Sequence, residues 1–320
     1  MTEPAPDNAA LLICTHNRAD QLKRCLQSVL GAQEMDRSRV FVVANACTDN
    51  TAEVVTSFRC RLIEESKPGK SHALNAGIGR ISAAFVLLLD DDVVVRPGWA
   101  KAMLEPFSDP EVGVVGGRVI PVLSTPAPEW LRGPYLDQAI LRDHGPAADG
   151  VELGAAIVGA NWGLRRSLLG DAPFHPRLGS VGSAPLGWDD WHLVRSLGTG
   201  VAYAPAAIAE HHFDPDRLRW RTIARMNFVN AMGAARSATI LEYGGPSAAR
   251  AAVDVVRCWR DLRRAQAANP RDRMTAASAG AELEALRRLG FASERLLGRV
   301  PPLADYVARH ALQPRCDRRR

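Results

Sequence analysis

Three consecutive aspartates, Asp90-Asp91-Asp92, directly follow the apolar residues 85–89, and they constrain this chain more than any other feature of its sequence. A short run of β-branched and aliphatic residues is typical of a buried strand. Carboxylates at the end of such a strand lie at the sheet edge where open α/β folds bind ligands. Three neighbouring negative charges repel one another unless a positive group lies among them. A divalent cation, held by carboxylates and by the phosphates of a substrate, meets that requirement.

Strand and helix signals alternate through the first half of the chain. Apolar runs at residues 11–14, 40–44 and 85–89 predict strands, and the apolar residues between 22 and 30 recur at the spacing of one helix face. This alternation predicts an α/β fold in which helices flank a mostly parallel sheet, with a Rossmann-like nucleotide-binding half.

Charge divides the chain into two parts. Residues 217–320 contain 21 arginines and 9 acidic residues, whereas residues 1–216 contain 19 basic and 26 acidic residues. We therefore predict one domain over 1–216 and an Arg-rich helical C-terminal extension over 217–320. Solvated helix faces and peripheral contact with an anionic membrane surface are both consistent with the basic part. Nucleic acid is not an expected partner, because no recognised binding module accompanies the charge.

The pattern of cysteines and the first residues of the sequence indicate in which cellular compartment the protein is expected. The six cysteines are scattered without a CxxC pair, which suits a reducing cytoplasm. The first residues lack the basic and apolar regions of a signal peptide, and no uncharged apolar stretch approaches the roughly 18 residues of a membrane span. The expected localisation is cytoplasmic, at most peripheral to the inner face of the membrane.

Five further motifs occur in the order known from one enzyme family. They are residues 14–18 (CTHNR), 42–51 (VVANACTDNT), 69–77 (GKSHALNAG), 159–166 (GANWGLRR) and 187–190 (GWDD). Together with the acidic run they resemble the family 2 glycosyltransferases, which have the GT-A fold, over about residues 11–212. The resemblance implies a GT-A glycosyltransferase domain in residues 1–216, a nucleotide-sugar donor and a divalent metal.

The resemblance also assigns the metal site. It implies that Asp92 binds Mn²⁺ or Mg²⁺, with Asp90 nearer the ribose and Asp91 in the same donor pocket. A metal stabilises a departing diphosphate without needing a proton. A histidine is expected to complete the metal shell, and position favours His211 over His212.

A second acidic pair, Asp189-Asp190, resembles the family's Glu-Asp pair at the start of a helix. The resemblance makes Asp190 the catalytic base, which takes the proton of the acceptor hydroxyl as its oxygen attacks the anomeric carbon. That reaction is a single displacement with inversion. Asp189 either contacts the acceptor or caps the helix.

Residues at the strand tips are expected to bind the donor. The resemblance implies nucleotide contacts from Thr15, Asn17, Arg18, Asn45, Asp49 and Lys70. Ala44 departs from the family, since many members carry there an aspartate that hydrogen-bonds uracil. The donor base therefore stays open among UDP, GDP and dTDP.

Aromatic and amide side chains are expected on the sugar and acceptor side. Asn161 is predicted to bond donor-sugar hydroxyls, and Trp162 and Trp188 either stack on sugar faces or pack in the core. The acceptor itself is not predicted.

The resulting prediction is a metal-dependent inverting glycosyltransferase. One alternative is a non-catalytic relative that binds nucleotide-sugar or docks a partner. A nucleotidyltransferase would need a GxGxR-type loop after the first strand, which residues 14–17 do not supply. A haloacid-dehalogenase-like phosphatase would explain the DxDxV pattern at 90–94, although such a loop usually lies near the N-terminus.

Overall fold

The computed structural model describes residues 3–32, 34–140, 143–147, 159–181, 184–241 and 245–312. Its strands are β1 (Ala9–Thr15), β2 (Val40–Asn45), β3 (Arg61–Glu65), β4 (Phe85–Asp90), β5 (Val93–Val95), β6 (Val112–Leu123), β7 (Asn161–Arg165) and β8 (Gly200–Phe213). Its helices are α1 (Ala19–Gly31), α2 (Thr51–Ser57), α3 (Lys70–Ile78), α4 (Trp99–Leu104), α5 (Pro134–Ile140), α6 (Asp189–Leu197), α7 (Trp220–Ile240), α8 (Ala248–Ala267), α9 (Ala276–Leu297) and α10 (Pro301–His310).

The strands form one sheet in the order β3-β2-β1-β4-β7-β6-β8-β5. The first four strands in this order are parallel to one another. Strand β7 is antiparallel to both β4 and β6, and β5 is antiparallel to β8. The predicted α/β class is thus confirmed.

The central strands are apolar because both faces of the sheet are covered. Leu11 and Ile13 of β1 belong to one core cluster, whereas Leu12 between them belongs to another. This alternation follows from the two-residue period of a strand. The apolar stripe of α1, including Leu22 and Leu26, fills the first cluster.

The path of the chain after β4 creates the site. It leaves the sheet after Asp90, turns through two residues and rejoins the same sheet as β5, at the far end of the strand order. There Val93 pairs with His211 of β8. The acidic turn therefore connects two strands of one sheet that are distant in the strand order, and β8 supplies a histidine beside it.

The chain separates into two compact units. The first comprises Met1–Val122, Leu141–Arg177 and Asp190–Phe213, and the second comprises Leu123–Ile140, Leu178–Asp189 and Asp214–Arg320. The second unit contains α7 to α10, so the predicted helical C-terminal region is confirmed. A functional boundary at residue 216 stays a prediction. Among the described helices, none combines the length and apolarity needed to cross a bilayer.

Helices α7 and α9 pack closely in the second unit. Arg236 of α7 and Glu294 of α9 form an ion pair of 2.7 Å, and both side chains are at most 3% exposed. Breaking such a pair would leave an uncompensated buried charge. Gly290 lies against the same neighbour, since a Cβ there would be 2.1 Å from the carbonyl oxygen of Phe228.

We predict opposite stability effects for two glycine substitutions in α9. Gly290→Ala places a methyl group against backbone and should lower the free energy of unfolding by about 2 kcal/mol. In the matched control Gly280→Ala, the new methyl group contacts only the Tyr135 ring, at 3.5 Å. This variant should raise the free energy of unfolding by about 0.5 to 1 kcal/mol, because alanine has a higher helix propensity than glycine. Urea denaturation measures both. Equal values for the two variants would contradict the close packing of α7 and α9.

Candidate active site

The acidic turn is balanced by two cationic side chains. Lys70 Nζ at the start of α3 lies 2.7 Å from Asp90 Oδ1. Arg18 Nη1 donates to Asp91 Oδ1 and to Asp92 Oδ2, at 3.1 Å each. Two positive charges among three carboxylates relieve the repulsion that the sequence predicts for this turn.

Asp91 is the buried member of the turn. It is 4% exposed and accepts a hydrogen bond of 2.6 Å from Thr15 Oγ1. Burial raises the pKa of Asp91 to about 6 against the opposing effect of Arg18, and repulsion from Asp92 adds to the increase. Burial lowers the pKa of the Arg18 guanidinium, but the carboxylates of Asp91 and Asp92 outweigh burial, so the net direction is upward. Asp91 therefore ties the turn to β1, while Asp90 and Asp92 are half-buried.

Asp90, Asp92 and His211 form a cluster able to hold a metal ion. Each offers one ligand atom, and these atoms lie within 4.8 Å of one another. His211 Nε2 is 2.7 Å from Asp92 Oδ1. Two carboxylates and one imidazole suit Mn²⁺ and, with added water or phosphate oxygens, Mg²⁺. The donor set therefore fits a divalent cation.

The two adjacent histidines occupy different environments. His211 is 2% exposed, its ring packs 4.0 Å from that of Phe213, and its Nδ1 has no hydrogen-bond partner within the described ranges. The His212 side chain is 39% exposed, and its Nε2 lies 3.9 Å from a Glu210 carboxylate oxygen. The geometry brings the side chain of His211, rather than that of His212, to the carboxylates of the acidic turn.

Asn45 supports the loop that carries Lys70. Its Oδ1 accepts from the Gly69 amide at 2.8 Å, and its Nδ2 donates to the carbonyls of Glu65 and Lys67. The side chain is 6% exposed. A contact with the nucleotide stays a prediction for Asn45, whereas its support of residues 65–69 is a feature of the structure.

Asn17 and Asp49 connect the loops after β1 and β2. Asn17, with a positive φ of 53°, accepts from the amides of Thr48 and Asp49 through Oδ1. Asp49 accepts from the Ala19 amide at the start of α1, and from the amide and hydroxyl of Thr51. Both side chains shape the two strand tips, and their contact with a donor stays a prediction.

Asp190 lies in the same region as Lys70. A Cβ on Gly159 would be 2.6 Å from Asp190 Oδ2 and 3.6 Å from Lys70 Nζ. The next residue, Ala160, accepts a backbone hydrogen bond from Asp90 at 3.2 Å. The side chains of Lys70 and Asp190 thus both lie beside Gly159, and the residue after this glycine is hydrogen-bonded to the first residue of the acidic run. The sequence motif contained Gly159 but indicated no role for it, although glycine beside a strand often marks a close approach.

Asn161 and Trp162 are buried. Asn161 is fully buried, its Oδ1 accepts from Trp99 Nε1 at 2.8 Å, and its Nδ2 donates to the carbonyls of Arg118 and Ala207. Trp162 is 2% exposed and packs edge-on against Phe174. A sugar contact from Asn161 would require these bonds to break, and for both residues it stays a prediction.

Trp188 and Asp189 belong to the second unit. Trp188 has a positive φ of 68°, and its Nε1 donates to the Asn230 carbonyl on α7 at 3.0 Å. Gly233 of α7 permits the Leu186 carbonyl to approach, since a Cβ there would be 2.2 Å from that oxygen. Asp189 is 6% exposed. Nothing in the sequence pointed to Asn230 or Gly233, because their role depends on packing between distant segments.

The chain matches the Glycosyl transferase family 2 over residues 10–171, and it belongs to that family. The family predicted from the motifs is thereby confirmed, and the α/β architecture agrees with the fold predicted with it.

Named relatives match only part of the chain. It is 29% identical over 117 residues to the poly-beta-1,6-N-acetyl-D-glucosamine synthase of Staphylococcus epidermidis, and 30% identical over 118 residues to that of Staphylococcus aureus strain MSSA476. Each match covers 35% of this chain and 28% of the relative, so the chain spans little more than a quarter of those proteins.

Solved structures match more of the length at lower identity. A glucosyl-3-phosphoglycerate synthase from Mycobacterium tuberculosis, in complex with Mn²⁺, UDP-glucose and phosphoglyceric acid, is 16% identical. The match covers 70% of this chain and 79% of that chain, with a TM-score of 0.48.

We predict that metal affinity distinguishes the two histidines. His211→Ala removes a nitrogen from the cluster and should weaken Mn²⁺ binding by about tenfold or more. His212→Ala, the matched control, should leave it within about twofold. Titration calorimetry or the loss of the free Mn²⁺ electron-spin signal measures both. Unchanged affinity in His211→Ala would exclude this residue from the metal site.

Proposed function

We propose that this protein is a glycosyltransferase that moves one sugar from a nucleoside diphosphate to an acceptor hydroxyl, with a divalent cation and with inversion. One observation carries the proposal. Asp190 Oδ2 and Lys70 Nζ both lie beside Gly159, and Lys70 contacts Asp90 of the Asp90-Asp92-His211 cluster. A base and a metal-binding group on the same region of the first unit are what a single displacement at an anomeric carbon requires.

Asp90, Asp92 and His211 would hold the cation. When bound, it supplies positive charge to the departing diphosphate. Lys70 and Arg18 lie against the same carboxylates and present two further cationic groups to the phosphates. Arg18 is half exposed, so its guanidinium is accessible to a phosphate oxygen.

Asp190 is the proposed base. It lies in the first turn of α6, and its Oδ1 accepts from the Trp191 amide at 2.7 Å. The positive end of a helix favours an ionised carboxylate, which is the form able to accept a proton. Asp190 Oδ2, which lies beside Gly159, then takes the hydrogen of the acceptor hydroxyl while that oxygen bonds to the anomeric carbon.

The donor base remains a choice among UDP, GDP and dTDP. Ala44 is 6% exposed and has no polar side-chain atom, while the amide of Asn45 is engaged with the 65–69 loop. Backbone groups at the tips of β1 and β2 are therefore the proposed base contacts. The acceptor is open, and a peripheral position at the inner face of a membrane is proposed from the charge of residues 217–320.

The test is a donor screen followed by product analysis. A bound nucleotide raises the melting temperature by mass action, so UDP, GDP and dTDP are compared with and without Mn²⁺. The matching nucleotide-sugar should then release nucleoside diphosphate. Release of pyrophosphate would indicate nucleotidyl transfer, and binding without turnover would indicate a non-catalytic relative. Retention of anomeric configuration, read by NMR, would overturn the single displacement.

We predict that Asp190→Asn lowers kcat by about 10²- to 10⁴-fold, because the amide cannot accept the proton. The affinity for nucleoside diphosphate should be unchanged. Asp171→Asn, which alters an exposed carboxylate of the same unit, should have wild-type kcat. Near-normal turnover of Asp190→Asn would eliminate this residue as the base.

We predict that Gly159→Ala lowers kcat by about tenfold or more while the melting temperature stays close to wild type. The new methyl group would lie 2.6 Å from Asp190 Oδ2, and that side chain can move away cheaply but then leaves its position. Gly170→Ala is the control, since a Cβ there meets no atom within 4 Å. Full activity in Gly159→Ala would show that the position of Asp190 is not critical.

A further inference from the structure

The exposed large apolar side chains of the described residues are confined to one part of the sequence. They are Val253, Val256, Trp259, Val300, Leu303, Tyr306 and Leu312. Isolated exposed apolar residues are normal, but a concentration within about 60 residues of one unit is not. The same region lies in the part of the chain that carries 21 arginines and 9 acidic residues.

Three of these side chains form a row along α8. Val253, Val256 and Trp259 are 53%, 48% and 53% exposed and recur every three residues. The opposite side of the helix is buried through residues such as Cys258 and Leu262. Helix α8 thus buries one apolar side in the core of its unit, as an amphipathic helix does, but its exposed side also carries large apolar groups.

Arginines alternate with the apolar row. Arg257, Arg260 and Arg264 line the same shallow groove as Val253 and Val256, and Asp261 is the one acidic residue among them. Helix α8 contains five arginines and two aspartates in all. Val253, Val256, Trp259, Arg257, Arg260 and Arg264 together are called the α8 face.

Helix α10 extends this type of surface. Arg299 Nη2 donates to the Pro246 carbonyl at 2.6 Å, which joins the start of α10 to the start of α8. Val300, Leu303 and Tyr306 are 54%, 45% and 60% exposed and again recur every three residues. Helix α10 and the residue before it thus carry an exposed apolar row of their own.

We propose that the α8 face docks on the surface of an anionic lipid bilayer. Guanidinium groups bind lipid phosphates, while valine and tryptophan side chains enter the boundary between headgroups and acyl chains. A second copy of the chain that docked through the same α8 face would be repelled by its like charge. Nucleic acid would pair the arginines but leave Val253 and Val256 in water. Of these three partners, only the lipid surface would both pair the arginines and bury the apolar side chains of the α8 face. This inference does not depend on the transfer reaction.

The test is flotation of the full chain with vesicles of equal parts phosphatidylglycerol and phosphatidylcholine, against pure phosphatidylcholine. We expect binding to the anionic vesicles only, weakening as salt is raised. Arg257→Glu/Arg260→Glu should weaken binding by about tenfold or more. Arg24→Glu/Arg59→Glu makes the same change of net charge at exposed residues of the first unit, and should bind nearly as wild type. Val253→Ser/Trp259→Ser removes the apolar part and should also weaken binding.

Melting temperature and nucleoside diphosphate release in solution should be unchanged in all three variants, which separates this proposal from that of the active site. Equal losses in the α8 and first-unit arginine variants would overturn the proposal, because net charge alone would then explain binding. Absence of vesicle binding would also overturn it. So would α8-dependent binding to a duplex DNA or RNA in place of vesicles, or an α8-dependent dimer in light scattering.

Discussion

The balance of charge at the acidic turn is the constraint on which the first unit depends. Asp90, Asp91 and Asp92 follow one another without a spacer, so folding brings three carboxylates to one sheet edge. Arg18 comes from the entry to α1 and Lys70 from the start of α3, and each reaches the turn from a different strand–helix connection. The parallel order β3-β2-β1-β4 is what brings these connections to the same edge. A different order of strands would separate Arg18 and Lys70 from the three carboxylates.

The ion pairs of the acidic turn also affect how a metal ion and a phosphate group could bind there. Two of the carboxylates that would hold a cation, Asp90 and Asp92, are engaged by Lys70 and Arg18 in the structure. If a divalent cation and a donor bind there as proposed, the cation would share those oxygens, and the donor phosphates would offer Lys70 and Arg18 new partners. Metal and diphosphate binding are therefore expected to be cooperative, because each compensates the charge that the other leaves. Asp91 is buried and accepts a hydrogen bond from Thr15, which ties the turn to β1.

The features of the fold and site that depend on local pattern and charge could be predicted from the sequence, whereas those that depend on packing between distant segments could not. The acidic run at a strand end was predictable from residues 85–92, since apolar periodicity and like charges are both readable in one dimension. The return of the chain as β5 was not, because three residues give too weak a strand signal. The proximity of Gly159 and Asp190 depends on two segments about thirty residues apart. Likewise the basic composition of α8 was evident, but which of its side chains stay exposed depends on its packing in the unit.

The backbone that leads to Asp190 has an unusual conformation at Trp188. Trp188, two residues earlier, has a left-handed backbone conformation that costs a bulky residue energy, so surrounding contacts must stabilise it. Those contacts come from α7, where Asn230 accepts from the indole and Gly233 leaves room for the Leu186 carbonyl. The segment 186–188 that precedes α6 is thus held by helix packing within the second unit.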